Sequence, residues 1–94
     1  MPKILIIDDE RSIRRTLKEI LEFENYTVEA VEDGIAGINE AKANNYDVIF
    51  CDIKMPQMDG IEVLTKLKND GLETPIIMIS GHGNIETAVD SIKN

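Results

Sequence analysis

Four oxygen-bearing side chains in this 94-residue chain stand at the carboxyl ends of short apolar runs, where they could do chemistry together. Asp8 and Asp9 follow Lys3-Ile4-Leu5-Ile6-Ile7, Asp52 follows Val48-Ile49-Phe50-Cys51, and Ser80 follows Ile76-Ile77-Met78-Ile79. A lone acid there does little for packing, whereas open α/β sheets bind ligands at the carboxyl ends of their strands. Three carboxylates gathered at one place repel, so at least one should ionise less readily than usual unless a cation is present. A hard divalent cation with oxygen ligands, Mg2+ above all, is the natural counterion. Phosphate chemistry fits the remainder. Asp52 would supply the attacking oxygen, and Ser80 with loop N–H groups would hydrogen-bond the phosphoryl oxygens.

The elements that must position these residues can be read from the hydrophobic pattern. Each of the runs before Asp8, Asp52 and Ser80 is too short for a helix and uniformly apolar, as in a strand covered on both faces. Between them, Ile13, Leu17, Ile20 and Leu21 mark one face of a helix over residues 11–24, and Thr27-Val28-Glu29-Ala30-Val31 alternates like a second strand. Asp33 is a helix cap before a short second helix with Ile35, Ile38 and Ala41, closed by Asn44-Asn45. Lys54, Met55-Pro56 and Asp59-Gly60 read as an irregular loop. A third helix then carries Ile61, Leu64 and Leu67 and stops near Asn69-Asp70-Gly71. Gly81-His82-Gly83 is a loop, and Ile85, Ala88, Val89 and Ile92 begin a fourth helix capped by Asn84.

The order is β-α-β-α-β-α-β-α within one domain, residues 1–94, which implies parallel strands joined by right-handed crossovers in a doubly wound sheet. Parallel strands present their carboxyl ends on one edge. If the first and third strands are neighbours with the second outside them, Asp8, Asp9 and Asp52 line the crevice where the chain reverses direction.

Composition narrows the partners. With 18 acidic against 10 basic residues, a net charge of -8 argues against direct nucleic-acid binding, which needs clustered Lys and Arg. Arg11, Arg14, Arg15 and Lys18 do cluster, and interleaved with Ile13 and Leu17 they read as the solvated face of a helix. The single cysteine, Cys51, excludes an internal disulfide and reads as a buried, inert thiol. The apolar start is far too short for a signal peptide or a membrane span, so a soluble, cytoplasmic protein is expected. His82 reads as an exposed loop residue, and Met55 and Met58 as gap-fillers.

Asp8-Asp9, Asp52, Pro56 with Gly60 in the following loop, and Ser80 together resemble the receiver domain of two-component response regulators, over all 94 residues. The resemblance implies a flavodoxin-like (CheY-like) sheet of strand order 2-1-3-4. It implies that Asp52 accepts a phosphoryl group from a histidine kinase and switches association or an output domain such as a transcription regulator. It further implies that Asp9, Asp52 and the Lys54 backbone carbonyl bind Mg2+, that Asp8 acts through water, and that Ser80 turns toward the phosphoryl oxygen. Lys54 and His82 match the variable positions that tune the lifetime of the phosphoryl group. The run from Ser80 to Val89 is similar to receivers of the nitrogen-regulation class. Family members continue through a fifth strand, ending in a lysine, and a fifth helix. Neither is present before Asn94, and Lys93 lies in a helical pattern and does not match that lysine. The expectation is a fragment of a longer protein, or a chain that completes itself with a second copy as a dimer or swapped pair.

Two other functions compete. A small Mg2+-dependent phosphatase could use Asp52 as its nucleophile, but haloacid-dehalogenase-type enzymes place a second acid two residues later, where this chain has Lys54. A phosphorylation-independent interaction module is the other, favoured by the unmatched lysine.

Overall fold

Short apolar runs alternate with three-to-four-residue apolar spacing along this chain, and the backbone follows that alternation. The computed structural model describes residues 1–79. Its elements are β1 (Lys3–Ile7), α1 (Arg11–Phe23), β2 (Thr27–Val31), α2 (Gly34–Ala43), β3 (Val48–Asp52), α3 (Gly60–Asn69) and β4 (Ile76–Ile79). The strands form one parallel sheet in the order β2-β1-β3-β4. That is the expected doubly wound order. Ser80, His82, the fourth helix with its Asn84 cap, and Lys93 lie outside the described residues.

Side chains alternate across a strand, so β1 divides its apolar residues between two layers. Leu5 and Ile7 pack with Ile49 and Cys51 of β3 against Ile38 and Ala41 of α2 and Val63 and Leu67 of α3. Ile4 and Ile6 pack with Val28 and Phe50 against Ile13, Leu17 and Leu21 of α1. Burying a side chain such as Leu17 or Phe50 contributes about 2–3 kcal/mol, and both are wholly inaccessible to solvent. The two layers clamp β1 and β3 from both sides, which holds the ends of those strands in fixed relation.

Two helix starts are fixed by side chains. The Asp33 carboxylate accepts from Ala36 N at 2.8 Å, as the sequence suggests. Asp59 accepts from Glu62 N at 2.9 Å while Glu62 reaches back to Asp59 N, a reciprocal capping box. The box sets where α3 begins, and Gly60 sets how close. Its N–H donates to Ile53 O at 2.8 Å, and a Cβ on Gly60 would run into the carbonyl oxygen of Asp52. The phosphoacceptor candidate therefore has α3 seated directly on its backbone.

The apolar faces of two helices differ from the sequence expectation. Ile35 of α2 and Ile61 of α3 are more than half exposed, and the buried positions are Gly34, Gly37, Ile38 and Ala41 on α2 and Gly60, Val63 and Leu67 on α3. Glycine explains the shift. A Cβ at Gly34 would meet Val63 Cγ2 at 2.9 Å, and one at Gly37 would strike the Ile7 side chain, so the closest-packed positions carry no side chain at all. The fourth strand is uniformly apolar, yet only Ile79 is buried and the three residues before it are half-buried. Among the described residues β4 is an edge strand, paired with β3 alone.

Candidate functional site

β1 and β3 are hydrogen-bonded neighbours running in the same direction, with Ile7 paired with Cys51. The residues that follow each pair must therefore emerge together. Asp8 leaves β1, Asp52 ends β3, and ligand atoms from Asp8, Asp9 and Asp52 all lie within 4.8 Å of one another. Between β1 and β3 the order of strands reverses, and the three carboxylates stand at that reversal.

Their surroundings differ. Asp8 and Asp52 are buried, and Asp9 is exposed. Asp8 is the most constrained. Its N–H donates to Val31 O at 3.1 Å, Glu10 N donates to its Oδ1 at 2.8 Å, and the Arg14 guanidinium donates to its carbonyl oxygen at 2.9 Å. Its other carboxylate oxygen, Oδ2, is buried with no hydrogen-bond partner among the described residues. Burial above all pushes the Asp8 carboxyl up from 3.8 to about 6. The Glu10 N–H works in the opposite sense, and the negative charges of Asp52, Asp9 and Glu10 add to the rise. The expected hindered ionisation is present, with loss of water a larger cause than repulsion.

The donor set fits a hard cation. Three carboxylates converge, and a buried oxygen lacks the partner that buried polar groups ordinarily have. Such an arrangement could hold a divalent ion through oxygen. Lys54 follows closely, its N–H donating to Asp52 Oδ1 at 3.3 Å, and its side chain is exposed. Beyond it the loop is tight. Met58 N donates to Pro56 O at 2.8 Å across Gln57, whose φ of 69° is in the left-handed region. Met55 is buried in the α2–α3 layer and Met58 packs against it, as gap-fillers should.

The thiol of Cys51 is wholly buried, donates to Asp52 O at 3.5 Å, and is pushed up to about 12 by burial first and the neighbouring acids next. It is the inert group expected. Arg14 departs from the solvated helix face read for Arg11, Arg14, Arg15 and Lys18. Arg11 and Arg15 are exposed, but Arg14 is half-buried and bonded to the acid turn. A usable signal existed: helical side chains lean toward the N-terminus, so an arginine in the first turns reaches back over the preceding loop.

A doubly wound parallel sheet with an acid cluster at its reversal defines a class of small α/β domains, and comparison with known proteins names it. Residues 4–94 match the model of the response regulator receiver domain, and the chain belongs to that family. It is 44% identical over 92 residues to the nitrogen assimilation regulatory protein NtrX of Azorhizobium caulinodans, covering 96% of this chain and 20% of that protein. This chain thus spans a fifth of that relative's length. The response regulator TrrA of Thermotoga maritima, solved in complex with Mg(2+)-BeF, is 32% identical with a TM-score of 0.82, covering 98% of this chain and 80% of that one. A complex of TrrA with the histidine kinase ThkA matches at 34% identity and a TM-score of 0.81, over 88% of this chain and 72% of that one.

Proposed function

We propose that this domain, residues 1–94, is a phosphoacceptor signalling module: Asp52 takes a phosphoryl group from the phosphohistidine of a histidine kinase in a Mg2+-dependent reaction, and the change switches association or an output domain. The supporting observation is the convergence of Asp8, Asp9 and Asp52 within 4.8 Å at the strand reversal. The similarity to TrrA, solved with a kinase and with Mg(2+)-BeF, supports the partner and the ion.

In the transfer an Asp52 carboxylate oxygen attacks phosphorus, a P–O bond forms, the P–N bond of the phosphohistidine breaks, and the departing imidazole nitrogen takes a proton. When bound, Mg2+ offsets the negative charge on the transferred phosphoryl oxygens. Asp9, Asp52 and the Lys54 carbonyl would hold it, with Asp8 acting through water. The chain supplies the rest. Burial of Asp52 at the end of β3 fixes its direction, and the Lys54 N–H steadies one carboxylate oxygen. Gly60 keeps the α3 start against the Asp52 carbonyl. Ser80, the residue after β4, would hydrogen-bond the phosphoryl group. No helix among the described residues is long and apolar enough to cross a membrane, which suits a cytoplasmic module.

The test is phosphorylation from acetyl phosphate, read by intact mass. The wild-type chain should gain one phosphoryl group only when Mg2+ is present, and Asp52→Asn should gain none. A gain that persists in Asp52→Asn, or no response of the wild type to acetyl phosphate and beryllofluoride alike, would refute the assignment.

A further inference from the structure

We infer that Arg14 is a positioning residue for the acid cluster, acting through the Asp8 main-chain carbonyl, and this rests on reading the cluster as a Mg2+ site. Residue 8 is held at three points by three elements. β2 takes its N–H through Val31 O, the following turn takes its carboxylate through Glu10 N, and α1 takes its carbonyl through Arg14 Nη1. Asp9 lies between residues 8 and 10 and, being exposed, takes its direction from that pinned turn.

Unlike α2 and α3, α1 has no side-chain cap bond at its start. A capping side chain ordinarily fixes how the chain enters a helix. Here a charge-assisted bond from one turn inside the helix does that work, and such bonds are about twice as strong as neutral ones. The Arg14 backbone N–H donates to Glu10 O at 3.0 Å, so one residue joins the first helical turn to the strand end.

Charge and position predict opposite signs, which makes the role decidable. A guanidinium beside a cation site repels the cation, so removing it as a mere charge should tighten Mg2+ binding. Removing it as a strut should loosen the ligands and weaken binding, as loss of groups that orient metal ligands does.

Mg2+ is titrated calorimetrically into the wild-type chain, Arg14→Met and Arg14→Lys, with urea unfolding of each run without metal. Arg14→Met should raise the Mg2+ dissociation constant about tenfold, and Arg14→Lys, which still donates one bond, should recover most of the loss. Equal or tighter binding by Arg14→Met overturns the inference, as does a lower urea midpoint with an unchanged dissociation constant. Should Arg14→Met fail to fold, Arg14→Gln takes its place with the same expected loss. Failure of the wild type to bind Mg2+ removes the metal reading and this inference with it. Wild-type binding matched by the neutral variants removes only the role of Arg14.

Discussion

The two ends of the sheet treat their carboxylates in opposite ways. At the end where the strands finish, Asp8 is buried, one of its oxygens has no partner among the described residues, and its carboxyl is pushed up to about 6. At the other end acids are matched. Asp47 accepts from Lys3 N at 2.7 Å, and Glu40 accepts from the Tyr46 hydroxyl at 2.6 Å and from Asn44 at 2.9 Å. Asp70 meets Lys42 at 3.1 Å and Lys66 at 3.7 Å, and the Lys42 hydrogen bond leads in holding its carboxyl below the usual value. One fold thus carries an end where charges serve stability and an end where, among the described residues, one buried oxygen of Asp8 is left without a partner. Buried polar groups without partners are costly enough that this asymmetry points to a ligand.

Replacing Asp8 by Asn should break the contrast most. The native carboxyl binds its proton more tightly than the unfolded one, so the cost of ionising it is absent below about pH 4. That cost grows between the two values and is complete above about pH 6. At pH 7.5 without Mg2+, Asp8→Asn should therefore unfold at higher urea, with a gain of up to about 3 kcal/mol. The gain should vanish near pH 4 and be offset by saturating Mg2+. A difference between the two chains that is independent of pH would count against burial as the source. At the matched end, Tyr46→Phe should cost about 1 kcal/mol, the worth of a hydroxyl hydrogen bond, measured by the same unfolding curves. Asp70→Asn should do least. Its partners are exposed lysines, and ion pairs of that kind rarely move a midpoint measurably. A clear loss on Asp70→Asn would show that the matched end contributes more than its geometry suggests.

Much of this was legible beforehand because it follows from period and handedness. Runs such as Ile4 to Ile7 and Ile49 to Cys51 admit little besides buried strands, and right-handed crossovers put their ends on one edge. The meeting of Asp8, Asp9 and Asp52 then needs only that β1 and β3 be adjacent. The helix faces were less legible, since apolar periodicity counts large side chains and passes over Gly34 and Gly37, where packing is closest. Ile35, which marks α2 in the sequence together with Ile38 and Ala41, lies outward. Arg14 was hidden differently. Its bond goes to a main-chain oxygen, and no residue type at position 8 announces a carbonyl in need of a donor.

Cys51 has a practical consequence. It is the chain's sole thiol, it sits one residue before Asp52, and it is sealed between β1 and β4. An alkylating reagent can reach it only when the α2–α3 layer lifts from the sheet. The pace of labelling thus clocks the lifting of the helices that cover the strand ending in Asp52, with no mutation introduced.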